Sequence, residues 1–129
     1  MTKTTVSTDK TPRPVAAYSQ GVRVGDVLYL AGQAGVDPAT GALVGEDIQG
    51  QTRQSLTNLR HVLEAAGGAL GDLVSVRVFI SDHAQFAGMN EVYSEFFTEP
   101  YPARTTVSVG LGPGMKVEID GIAHLGGCA

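Results

Sequence analysis

The chain has one cysteine, few charged residues and no apolar run near the roughly 20 residues that span a bilayer. Each shortage excludes something. The lone Cys128 stands next to the end of the chain and has no partner for an internal disulfide. A reactive thiol needs a held, electropositive setting, so a tail position argues against a catalytic role. His61, His83 and His124 are scattered and show no H-x-x-x-H or Cys/His ligand spacing, so no metal site is expected. No Walker-type phosphate loop is present: Gly21 and Gly25 flank a short turn and lack the helix such a loop leads into. Residues Met1 to Arg13 are polar and carry no apolar signal-peptide core. A cytoplasmic location and no membrane partner are the expectations that follow.

What is there describes a globular protein. At 129 residues the chain fits one domain, large enough to bury a core without disulfide or metal staples. Hydrophobic content of 43% and charged content of 17% separate it from disordered chains. A net charge of −4 argues against a general nucleic-acid surface, though it leaves room for a local basic pocket. Seventeen glycines point to many tight turns.

The periodicities alternate between strand and helix. Residues 2–11 read either as a mobile arm or as a short edge strand. Pro12 and Pro14 then force extended backbone. Residues 19–24 and 27–33 read as two strands joined at Gly25-Asp26, the second nearly all apolar and hence central. Gly32 at its end reads equally as a close ligand approach or as a bulge. Residues 36–45 form a loop with turn signals at Asp37-Pro38 and Thr40-Gly41. Asp47 suits the cap of a helix whose Ile48, Thr52, Leu56, Leu59, Leu63 and Ala66 share one buried face. Gln51, Arg53, Gln54, Asn58 and Arg60 fall mostly off that stripe, and Gly67-Gly68 ends the helix. Residues 73–80 make a third strand, with Val74, Val76, Val78 and Ile80 on one face and Leu73, Ser75, Arg77 and Phe79 on the other. Asp82 with Gln85 resembles a capping box before a second helix. Phe86, Met89, Asn90, Tyr93 and Phe97 lie along one side of it. An amide among aromatics needs partners, so Asn90 is expected to reach a ligand or a backbone group across an interface.

The stretch from Tyr101 to Glu118 carries the chemistry. Arg104, Thr106 and Ser108 point one way on a strand. A loop with Gly110, Gly112, Pro113 and Gly114 follows, and Lys116 to Asp120 begins the last strand. Arg104 and Glu118 are read onto the polar faces of these two strands. A guanidinium fits a carboxylate bidentately, and a glutamate can orient or deprotonate a water. An ordinary interstrand ion pair, or two solvated side chains, is the plainer alternative. The element order is β-β-α-β-α-β-β, with an optional first strand. Two helices cover one face of such a sheet. Residues 27–31, 73–80 and 117–125 are apolar on both faces, so self-association is expected to cover the other.

The segments P-A-R-T-T-V at 102–107 and V-E-I-D-G-I-A at 117–123 resemble the late signature of the RidA/YjgF family. Tyr18-Ser19-Gln20-Gly21-Val22, Ala31-Gly32-Gln33, Gln51-Thr52-Arg53-Gln54-Ser55-Leu56, Ala65-Ala66-Gly67, Val78-Phe79-Ile80 and Asn90-Glu91-Val92-Tyr93 with Phe96-Phe97 agree in order, from about residue 15 to 125. The resemblance implies a chorismate-mutase-like α+β fold: a mixed sheet with two helices on one face, three subunits forming a central β-barrel, and ligand sites between neighbours. It also implies cofactor-free hydrolysis of reactive 2-imino acids such as 2-iminobutanoate and 2-iminopropanoate to 2-keto acids and ammonia. Carried over residue by residue, Arg104 would bind the substrate carboxylate and Glu118 would activate water. Thr106 and Gly32 would supply backbone groups, Tyr18 would line the cleft, and Asn90 would join from the neighbour.

Three positions depart from the family pattern. Thr106 stands where many relatives have cysteine, Ala31 where serine is common, and the 110–114 loop lacks a frequent arginine or lysine. The alternatives are a non-catalytic carboxylate-binding regulatory trimer, a pathway-specific enamine deaminase suggested by A-A-G-G and I-A-H, and an endoribonuclease or translation inhibitor. The acidic balance and the absence of a histidine pair argue against the last.

Overall fold

The computed structural model describes residues 1–126, so Cys128 lies outside the described residues. Six strands form one mixed sheet: β1 (Lys3–Val6), β2 (Gly21–Val24), β3 (Val27–Ala34), β4 (Leu73–Ile80), β5 (Ala103–Ser108) and β6 (Val117–His124). Their order is β1-β2-β3-β6-β4-β5. Only β4 and β5 pair in parallel. A parallel pair needs a crossover, and helix α2 (Phe86–Phe96) supplies it. Helix α1 (Ile48–Ala65) connects β3 to β4. The optional first strand is real: β1 pairs antiparallel with β2 along the sheet edge. The two-helix, mixed-sheet α+β architecture read from the sequence is the one found.

Both helices lie on one face of the sheet. There Leu28, Leu56, Leu59, Leu63, Val78, Ile80, Met89 and Ile119 form a core from which solvent is excluded. Burying each such side chain contributes about 1.5–3 kcal/mol relative to leaving it in water. Asp47 caps α1 by accepting from the Gly50 amide at 2.8 Å. Gly67, at φ +85°, turns the chain out at the other end.

Four local readings are corrected. Gln51 and Asn58 are wholly buried, not off the core stripe. Gln51 donates to Gly45 and Gly114 carbonyls and accepts from the Lys116 amide. Asn58 donates to the Val36 carbonyl at 2.9 Å. These amides tie α1 to the loops, and a periodicity count of apolar residues cannot see such bonds. On β4, the pairing slips between Leu73 and Ser75. That bulge turns Leu73 into the core and leaves Val74 52% exposed. Asp82 caps a 3₁₀ turn at His83–Gln85 through the Ala84 amide, and Gln85 makes no return bond to close a capping box. The strand expected from residue 19 starts at Gly21. The side chain of Gln20 is occupied instead with holding the N-terminal segment, through Thr8, Thr11 and Pro12.

Among the described residues, no helix lies on the other face of the sheet. Tyr29, Val107 and Ile122 are 48, 41 and 37% exposed there. Tyr29 stands across from Ile122, while Phe79 stands between Glu118 and Val107. Arg77 spans to Asp120 by two bonds of 3.0 and 2.7 Å. That bidentate contact raises the Arg77 pKa and fixes its charge. An apolar sheet face with one internally neutralised pair suits a protein contact better than open solvent.

Candidate functional site: two half-clefts

Five of the six residues singled out from the sequence fall into two groups. Tyr18, Gly32 and Glu118 line one cleft of about 670 Å³. Arg104 and Asn90 line another of about 370 Å³, with Tyr93, Ser94, Phe97, Tyr101 and Pro102. Thr106 follows Arg104 on the same face of β5. Its hydroxyl is buried without a hydrogen-bond partner among the described residues, and it lines neither cleft.

The first cleft is built around a bulge. Between Leu30 and Gln33 the β3–β6 register slips, so Ala31 and Gly32 share one place opposite Asp120. Gly32 therefore sits in a bulge, one of its two readings, and the close approach made to it comes from the protein itself. The group that approaches is Glu118, since a Cβ on Gly32 would stand 2.6 Å from Glu118 Oε2. The carboxylate itself has no hydrogen bond or ion pair among the described residues. Half-exposed Tyr18 forms another part of the wall.

The second cleft is built around Arg104. The pairing Val76↔Arg104 puts its side chain on the helix-covered face. There its Nη1 donates to Asn90 Oδ1 at 2.8 Å. The guanidinium carbon lies 4.6 Å from the Tyr93 ring centroid and 5.7 Å from that of Phe86. Tyr93 stacks on Phe97 at 4.4 Å. Asn90 thus braces Arg104 of its own chain, which answers what its amide was doing among aromatics. Arg104 pairs with no carboxylate among the described residues. A guanidinium has five donors, and only one is spent on Asn90. Burial pushes the Tyr93 hydroxyl pKa up, while the neighbouring Arg104 charge opposes that shift. Tyr93 was read from the sequence only as core; its place three residues after Asn90, one helical turn on, was the available signal.

The sequence reading of Arg104 and Glu118 as a pair on polar strand faces needs correction. β4 separates their strands, which run about 10 Å apart, and the two residues are also offset along them. Glu118 pairs with Phe79, and Arg104 with Val76, an odd number of residues away on β4, so the two side chains leave the sheet on opposite sides. No direct ion pair is available to them. Nor can one small ligand touch both within a single chain. Among the described residues, no cluster of histidine, cysteine and carboxylates could hold a metal ion. No helix in them is long and apolar enough to cross a membrane.

A mixed sheet with two helices on one face and a cleft at each side defines a class of small α+β proteins. The chain belongs to the endoribonuclease L-PSP family, the RidA/YjgF proteins, whose family model matches residues 8–125. It is 45% identical over 123 residues to a RutC family protein of Pyrococcus horikoshii, covering 95% of this chain and 98% of that one. It is 44% identical over 123 residues to the 2-iminobutanoate/2-iminopropanoate deaminase of Salmonella typhimurium, covering 92 and 95%. Among solved structures, RidA from an Antarctic Psychrobacter superposes with a TM-score of 0.90 at 43% identity, covering 95 and 99%. Escherichia coli TdcF, solved with bound serine, superposes with 0.89 at 39%, covering 94 and 98%.

Proposed function

We propose that this protein is a cofactor-independent imine deaminase of the cytoplasm, and that its active site is completed between subunits of a homotrimer. The observation that carries the reading is Arg104. It is braced by Asn90 and Tyr93, has no carboxylate partner among the described residues, and opens onto a cleft. Such an arginine is a receptor for an anion, and a 2-imino acid presents a carboxylate one bond from its reactive carbon. Glu118, also unpaired, is the carboxylate suited to a water. One chain keeps these two groups apart on opposite sides of its sheet. The exposed apolar face at Tyr29, Val107 and Ile122 gives a neighbour a surface on which to dock. Docking of that kind would bring the Arg104 cleft of one subunit against the Glu118 cleft of the next.

The reaction needs little more than placement. The imine carbon is already electrophilic. Glu118 takes a proton from water as the new C–O bond forms, and the C=N electron pair moves to nitrogen, which picks up a proton. The carbinolamine then gives up its hydroxyl proton to solvent, replacing the one nitrogen took up, and the C–N bond breaks to leave the keto acid as Glu118 hands its proton to the departing ammonia. Water supplies both the oxygen and the hydrogens. Arg104 fixes the carboxylate so that attack occurs from one side. Tyr18 and Gly32 shape the space around the imine.

The test couples a threonine or serine dehydratase, which releases the imine in place, to semicarbazide trapping. Wild type should speed keto-acid release, and Arg104→Ala and Glu118→Ala should not. No acceleration by wild type would reject the enzyme reading. A second reading is a regulatory trimer in which Arg104 clamps a carboxylate without turnover. The bound serine in TdcF favours it, and calorimetric binding of 2-oxobutanoate without hydrolysis of any imine would support it.

A further inference from the structure

We propose that Arg13 is a specificity residue that favours substrates bearing a second carboxylate, that is, four- and five-carbon 2-imino diacids; this rests on the deaminase reading above. Among the described residues lining the Glu118 cleft, Arg13 is the only cation. It makes no ion pair or side-chain hydrogen bond among the described residues, although Asp9 and Glu118 line the same cleft. Its backbone is built into place from both sides. Pro12 and Pro14 flank it and restrict the chain to extended conformations. Buried Gln20 donates to the carbonyls of Thr11 and Pro12 at 3.2 and 2.9 Å. Thr11 in turn donates to the Asn58 carbonyl of α1 at 2.8 Å. The N-terminal segment therefore presents an unneutralised guanidinium, carried on a held backbone, at the wall of the cleft.

The geometry of the reaction gives that cation a task. The carboxylate next to the imine is taken by Arg104, and Glu118 works at the imine carbon. The substituent on the far side of that carbon has to occupy the rest of the cleft. A methyl or ethyl group would make no use of a guanidinium there. A carboxylate two or three bonds further on would pair with it, and would offset the repulsion from Asp9 and Glu118. The site is open to solvent, so the preference is modest, about fivefold.

Two measurements separate this from the reading it rests on. The first compares deamination of 2-iminosuccinate, generated by an aspartate oxidase, with that of 2-iminobutanoate, for wild type, Arg13→Ala, Arg13→Lys and Asp9→Asn. Arg13→Ala should lower kcat/KM for the diacid about fivefold and leave the monoacid rate unchanged. Arg13→Lys should restore part of the loss. Asp9→Asn should raise the diacid rate, and added salt should shrink every difference. Equal effects of Arg13→Ala on both substrates would overturn the proposal while leaving the deaminase standing. The second is binding of 2-oxoglutarate and 2-oxobutanoate. A preference for the diacid that vanishes in Arg13→Ala would support the role of Arg13 even if no imine is hydrolysed, and its absence would count against it.

Discussion

Gly32 and Glu118 face each other so closely across β3 and β6 that a Cβ on Gly32 would stand 2.6 Å from Glu118 Oε2. The contact is with the far end of a side chain, so the carboxylate can move aside without unfolding anything. Gly32→Ala is therefore expected to cost less than about 1 kcal/mol of stability and to cut imine hydrolysis by at least about tenfold. Thermal melting and the coupled assay would separate the two. Normal activity in this variant would show that the seat of Glu118 does not matter.

Asn90 should act through Arg104. Asn90→Ala leaves the guanidinium charged but removes the 2.8 Å brace. KM should rise more than kcat falls. Arg104→Ala should lose about 100-fold or more in kcat/KM, the size of a lost charge-assisted hydrogen bond pair. Asn90→Asp should be nearly as damaging, because its carboxylate would occupy the arginine. Kinetics on the three variants decide the order.

Ile122→Asp tests the open sheet face. A charge placed beside Tyr29 would be exposed and harmless in a lone chain, but buried and unpaired in an interface. Light scattering should show the assembly falling to smaller species, with a folded circular-dichroism spectrum and lost activity. An unchanged mass would place the interface elsewhere.

Gln51 is a structural residue despite its polarity. Its amide makes three bonds, to Gly45, Gly114 and Lys116, from a wholly buried position. Gln51→Ala strands those backbone groups and should destabilise by about 3 kcal/mol. Denaturant titration reads it directly.

Tyr93 gives a pH signature. Its folded pKa is raised by burial, so the fold holds the neutral phenol more tightly than the unfolded chain does. That contribution is complete below the ordinary tyrosine pKa of about 10 and is lost as pH rises through the folded value. Tyr93→Phe keeps the ring beneath Arg104 and removes a hydroxyl with no partner among the described residues. Stability at neutral pH should change by less than about 0.5 kcal/mol. Chemical denaturation from pH 8 to 11 should show a shallower alkaline decline than wild type.

The sequence alone determined the elements and the chemical inventory. Period-two and period-3.6 patterns placed the strands and helices because side-chain burial follows those periods directly. Asp47, Gly25 and Gly67 marked their ends through local backbone chemistry. Arg104, Glu118, Gly32 and Asn90 could be named because a few residues in fixed order carry the family signature. Tertiary structure decided where these groups stand. The insertion of β4 between β5 and β6 sends Arg104 and Glu118 to opposite sides of the sheet, and strand order is set by long-range pairing that no local pattern encodes. The bulges at Leu73–Ser75 and Leu30–Gln33 each shift alternation by one residue, reversing which side chains are buried. Buried Gln51 and Asn58 were missed for the same reason: their partners are loop carbonyls brought near only once the chain is folded.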